Sequence, residues 1–162
     1  MAESSDSYRQ TVAARLEPLR FVELSEAAAE AGALAAFRRR RVQASKLGFF
    51  ETFVFLFGEG AGPDRSAEAV RVALGHKVAL PRGLGSALLV YPVFAVQQAG
   101  PELLALIGGK APKHWAAFEF PVVAELGSGR VLRQEKAPVW GGAYFKRMGR
   151  EADELLIPSS TS

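Results

Sequence analysis

Glu51 and Glu119 are the two residues whose surroundings best suit them to chemistry. Glu51 shares the odd positions of Phe49–Phe57 with four phenylalanines, and Glu119 shares a set with Trp115, Ala117 and Val123. A carboxylate on an apolar strand face is costly unless it is paired, hydrogen-bonded or at the open end of a sheet. If the two strands are neighbours, these carboxylates converge with Lys113, His114 or Lys136. That grouping suits general acid–base work, or a divergent nuclease site in which carboxylates and a lysine hold a metal and a water on a phosphate-bearing substrate. The bland alternative is that each glutamate lies near a strand edge or pairs with one of the many arginines. A nuclease strand also calls for an acidic residue, a spacer and a lysine, and Gln134-Glu135-Lys136 does not supply that order.

Arg38, Arg39, Arg40 and Arg41 form the most visible charge run. They suit contact with RNA, DNA or an acidic partner. The plainer reading is the solvated last turn of a helix, where cations complement the helix dipole. On a helix, four consecutive positions sweep most of the way around the axis and make no flat patch. A third constellation is aromatic. Trp115 follows Lys113-His114, and Trp140 precedes Gly141-Gly142 and Tyr144. Large rings beside glycines anchor a partner or line a pocket, or else cap the core. Trp115, Trp140 and Tyr144 are therefore the candidate binding residues.

Other chemistries find little footing. His76 and His114 lack metal-ligand spacing, and Lys77 and Lys113 beside them repel a divalent cation, so no metal is expected. There is no cysteine, which removes disulfides, thiolate metal sites and cysteine nucleophiles. Gly58–Gly62 follows a strand, but its spacing is not that of a dinucleotide loop and Glu59 sits inside it. Gly108-Gly109-Lys110 is followed by Ala-Pro rather than by a hydroxyl residue and a helix. No serine lies in a nucleophile elbow. No cofactor is expected.

The 162 residues fit one domain, 49% of them hydrophobic and 23% charged. Residues 6–157 are expected to form it, with residues 1–5 and 158–162 as frayed tails. The formal net charge is +3, far below that of a committed nucleic-acid binder. Of the 20 basic residues, 14 are arginine, which suits carboxylate or phosphate but reads first as a GC-rich coding bias, since alanine, glycine and leucine are also abundant. The longest apolar stretches are too short to span a membrane, and the polar start is no signal peptide, so a cytoplasmic protein is expected.

The elements that must position these residues follow from periodicity. A short helix over 6–17 ends at Pro18. A second begins at Ser25 as N-cap and runs through Ala27, Ala31, Leu34 and Phe37, with the four arginines in or just beyond its last turn. Phe49–Phe57 is a two-faced strand, 66–77 a helix, and Ala87–Gln97 a second two-faced strand whose Pro92 argues for an edge or a bulge. Pro101–Ile107 is a short helix closed by Gly108 and Gly109. Trp115–Glu125 is a third strand, 126–129 a turn, 130–136 its hairpin partner, and 144–157 a terminal helix. The expected fold is therefore α+β: one mixed sheet of about four strands with a C-terminal hairpin, covered by helices.

Ala111–Val123 (APKHWAAFEFPVV) and Ala137–Tyr144 (APVWGGAY) resemble segments of small uncharacterised bacterial proteins of a cyanobacterial type. The resemblance is confined to the last third. It implies a bacterial cytoplasmic origin and brings no catalytic residues with it. The expected function is a non-enzymatic binding or scaffold protein. Self-association is expected because the two-faced apolar strands exceed what a short chain easily covers. A protein or small molecule is the other expected partner, with nucleic acid as the alternative.

Overall fold

A computed structural model of the chain describes residues 3–43, 48–77, 87–110, 117–136 and 142–159. Five α-helices and seven strands are described: α1 (Ser5–Leu16), β1 (Val22–Glu23), α2 (Ser25–Ala31), β2 (Ala35–Gln43), β3 (Gly48–Phe57), α3 (Asp64–His76), β4 (Ala87–Val96), α4 (Pro101–Gly108), β5 (Ala117–Glu119), β6 (Val122–Glu125), β7 (Arg130–Arg133) and α5 (Gly142–Leu155). The strands form one mixed sheet in the order β1-β2-β3-β4-β6-β7, with β5 also on β4. Pairing is antiparallel for β1–β2, β2–β3 and β6–β7, and parallel for β3–β4, β4–β5 and β4–β6. The fold is thus α+β with a mixed sheet covered by helices, and the hairpin on Leu126–Gly129 forms as expected. The sheet has seven described strands where about four are expected.

Alternation along the strands divides the core in two. Leu89, Tyr91, Val93 and Ala95 of β4 face a layer made by α1 and α5, through Tyr8, Val12, Leu16, Met148, Ala152 and Leu156. Leu88, Val90, Phe94 and Val96 face the opposite layer, made by α2, α3 and α4. The two-faced apolar strands are therefore covered on both sides within one chain. The terminal helices clasp each other: the Tyr8 hydroxyl donates to the Leu156 carbonyl at 2.6 Å, and burial pushes the Tyr8 pKa up. Ser4 caps α1 through its side chain, and Glu3 accepts from the Ser159 amide at 2.8 Å.

The second helix does not reach the arginines. It stops at Gly32, whose φ of 64° is left-handed, with the Gly32 amide closing onto Ala28 and Ala29. A Cβ there would lie 2.9 Å from the Arg65 guanidinium, which donates to the Ala31 carbonyl. The chain then enters β2, so Arg38–Arg41 are strand residues. Alanine and arginine favour helix in isolation. Nine cross-strand pairs with the aromatic β3 override that preference. Ser25 also opens α2 as its first residue rather than capping it, and the cap position is Leu24.

Pro92 lies at neither an edge nor a bulge; β4 is central. The register Val90↔Glu119 before it and Val93↔Val122 after it is unbroken, so Pro92 stands opposite Pro121, in the gap between β5 and β6. The Val90 and Val96 carbonyls accept from Phe120 and Leu126, so even-numbered residues of β4 turn their backbone groups toward β5 and β6. The donor that Pro92 lacks therefore falls in that gap, and the bonds to β3 survive. This also splits the expected strand 115–125 in two.

Candidate functional site

The strand assignment redistributes the four arginines. Ala35 and Phe37 face the α1–α5 layer, so Arg39 and Arg41 share that side, and Arg38 and Arg40 share the other with Ala36. Arg39 is buried with 7% of its surface exposed, Arg38 is half-buried, and Arg40 and Arg41 are exposed.

On the α5 side Glu151 collects three donors. The Arg147 Nε lies 3.2 Å from Oε1, the Arg39 Nη2 lies 3.5 Å from the same oxygen, and the Tyr91 hydroxyl donates to Oε2 at 2.9 Å. The Arg39 guanidinium also covers the Phe21 ring at 4.6 Å, and Arg147 stands 5.8 Å from the Phe50 ring. The Nε of Arg39 is buried with no hydrogen-bond partner among the described residues. Burial pulls the Arg39 pKa below its ordinary value, Arg41 and Arg147 pull the same way, and Glu151 opposes them. Burial and the Glu151 charge hold Tyr91 well above the ordinary phenol range, so it stays a neutral donor. Two guanidiniums, Arg39 and Arg147, thus share one carboxylate, and Arg41 adds a third positive charge near Arg39. Tyr91, Arg147 and Glu151 escaped the sequence reading, although the Arg147/Glu151 spacing of four on one helix was a visible pairing signal.

Tyr144 packs its ring 5.7 Å from Phe50 and 5.1 Å from Phe118. It fastens the start of α5 to β3 and β5, beside the Arg147 contact. Lys113, His114, Trp115 and Trp140, the other aromatic and acid–base candidates, lie outside the described residues.

Glu51 and Glu119 are buried on the same face of the sheet, opposite α5. They are not adjacent. Glu51 pairs across with Leu88 and Glu119 with Val90, so β4 runs between them. Two strand spacings separate them sideways by about 10 Å. Each has its own partner: Arg40 Nε lies 3.6 Å from Glu51, and Ser66 of α3 donates to Glu119. Among the described residues no group of three or more His, Asp or Glu could hold a metal ion. The register thus sets the two carboxylates on one face with β4 between them, and Lys113 and His114, which the expected grouping also invokes, lie outside the described residues.

The glycine-rich loop after β3 lines an open cleft of about 450 Å³ with Gly32, Leu34, Glu59, Asp64 and Arg65. Its groups serve the fold: Glu59 accepts from the Gln97 amide, and Arg65 closes the end of α2. The two acidic side chains disfavour a phosphate there.

No family model, no curated protein and no solved structure matches this chain. No helix among the described residues is long and apolar enough to cross a membrane.

Proposed function

We propose that this protein is a non-enzymatic binding protein that docks an anionic partner on the arginine-bearing end of β2. The observation that carries this reading is a surplus of charge. Arg39 and Arg40 reach Glu151 and Glu51, whereas Arg38 and Arg41 make no ion pair with another described residue. Exposed Arg40 and Arg41, with Arg147 behind them, leave positive potential at one end of the sheet. Tyr144, Phe50 and Phe118 supply a rigid aromatic floor beside Arg147. Arginine suits such a surface because its fork meets carboxylates in two bonds at once. The small net charge and the division of the run between two faces favour an acidic protein over a nucleic-acid duplex, which asks for one continuous basic stripe.

The test is fluorescence anisotropy of the full chain with labelled poly-glutamate at low and at physiological salt. Binding that weakens with salt, and falls at least about fivefold in an Arg40→Ala/Arg41→Ala double variant but not in Arg130→Ala, is the expected result. Binding that is absent at low salt, or indifferent to the double substitution, sinks the proposal.

A further inference from the structure

Among the described residues the edge of β2 is covered only in part. β1 pairs with it at Val22↔Arg38 and Glu23↔Phe37, and the Leu24 amide donates to the Ala36 carbonyl at 2.8 Å. In an antiparallel ladder a residue turns both its backbone groups to one neighbour, and successive residues alternate. The backbone groups of Ala36 and Arg38 therefore face β1, and those of Phe37, Arg39 and Arg41 face β3. Arg40 and Val42 continue the outward series, and no described strand lies beyond them. Before β1 the chain turns away, at Arg20 with its left-handed φ of 64°. Among the described residues, an edge of about four residues, roughly 13 Å long, has no strand beside it. Its side chains are Arg40 and Arg41 in solvent and the exposed cross-strand pair Val42 and Phe49, at 68% and 42%.

We infer that this edge takes an acidic, extended peptide segment of a partner protein as an added antiparallel strand. The inference rests on the anionic-partner reading above and names its mode. Main-chain bonds to Arg40 and Val42 would supply affinity, and the alternating side chains would supply selection. An acidic residue opposite Arg41 meets a guanidinium that has no ion pair among the described residues, another opposite Arg40 extends the Arg40–Glu51 pair, and an apolar residue opposite Val42 covers the Val42–Phe49 patch. A second copy of this chain is the poorer occupant, because antiparallel pairing of two β2 edges sets arginines against arginines. The preferred segment thus reads apolar–acidic–acidic.

Because the Val42 amide points outward, Val42→Pro removes an edge donor and leaves the bonds to β3 in place. The probe is a fluorescein-labelled peptide, Thr-Thr-Val-Glu-Glu-Thr-Val-Thr, titrated with the full chain. Val42→Pro is expected to weaken binding about tenfold, as is N-methylation of alternate peptide amides on the bonded side, while Val42→Ala, which keeps the amide and loses only side-chain contact, weakens it less than Val42→Pro does. The N-methylated peptides decide the matter if Val42→Pro fails to fold by circular dichroism. Equal binding of methylated and unmethylated peptides, with sensitivity to Arg40→Ala/Arg41→Ala intact, overturns strand addition and leaves the anionic-partner reading standing. Loss of all binding at low salt overturns both. Binding of a mixed-sequence oligonucleotide at least as tight as the peptide, and indifferent to Val42→Pro, overturns the peptide as occupant.

Discussion

The sheet has two edges, and both carry arginine, but they handle it differently. On β7 each arginine is answered within the chain: Arg130 meets Glu125 at 2.9 Å, and Arg133 meets Asp153 through two bonds at 2.9 and 3.1 Å. β7 is also short, four residues, and α5 lies against it closely enough that a Cβ on Gly149 would fall 2.8 Å from the Arg133 guanidinium. On β2 the ion pairs are longer, two arginines have none among the described residues, and the strand outruns its neighbour β1. Charge on an edge strand discourages indiscriminate pairing with other chains. Neutralised charge on a short strand closes an edge; surplus charge on a long one selects what may approach.

The largest expected effect lies behind the open edge. Glu151→Ala removes the one carboxylate that Arg39, Arg147 and Tyr91 share, and leaves a buried guanidinium and a buried hydroxyl without their acceptor. Breaking a buried pair from one side costs about 3 kcal/mol. Urea unfolding should show that loss, and Glu151→Gln, which keeps an acceptor, should lose less. A Glu151→Ala variant as stable as the parent would mean that Arg39 is solvated, and the contrast between the edges would collapse.

Next comes the residue that decides where β2 begins. Gly32→Ala meets both a left-handed backbone and the Arg65 guanidinium, and should cost about 1–2 kcal/mol in thermal or urea unfolding. If instead it stabilised the chain, α2 would be running on toward the arginines and the open edge would be shorter than described.

That boundary also marks how far the sequence could be read. The strands at Phe49–Phe57 and Ala87–Gln97 were legible because each is a short, nearly all-apolar run rich in aromatic and β-branched residues, the pattern of a strand covered on both faces. The helix over 66–77 and the Leu126–Gly129 turn were legible from spacing and glycine. β2 was not: Ala35-Ala36-Phe37 continues an alanine-rich helix pattern, and the pairing that makes it a strand comes from residues beyond it in sequence. The same holds for Pro92, whose tolerance in a central strand depends on Pro121 standing opposite it. At the site, the arginine run was visible but its geometry was not. The Tyr91–Glu151 contact joins residues sixty positions apart and has no local signature.

At the closed edge, pH gives a finer probe. Ser128, then Arg130, then the Ala99 amide hydrogen-bond the Glu125 carboxylate and hold its pKa down to about 2. A carboxyl whose folded pKa is depressed stabilises the fold above its unfolded value and loses that contribution as pH falls. The stability that Glu125 supplies should therefore be full at pH 7 and fade between about pH 4.5 and about pH 2. Glu125→Gln should be less stable than the parent at pH 7, with the gap closing across that window in urea midpoints. Ser128→Ala should raise the Glu125 pKa in an NMR titration. A gap that does not change with pH would show that Glu125 acts through packing alone.

The smallest effect is expected at the other end of β7. The Arg133–Asp153 pair has good two-bond geometry, but both side chains are substantially exposed, at 32% and 51%. Water already solvates each ion, and ordering two side chains offsets much of the attraction, so such pairs contribute no more than about 1 kcal/mol. Asp153→Asn should move the urea midpoint only slightly, and the shift should shrink further in high salt. Asp153→Asn also leaves Arg133 without its counter-charge beside the outer edge of β7. If surplus arginine is what opens an edge to acidic strands, this variant should bind the acidic peptide weakly where the parent's β7 edge does not. An Arg40→Ala/Arg41→Ala background isolates that second edge, and anisotropy on it tests whether charge surplus is the feature that matters. No added binding would assign the difference to something other than charge, such as the packing of α5 against β7.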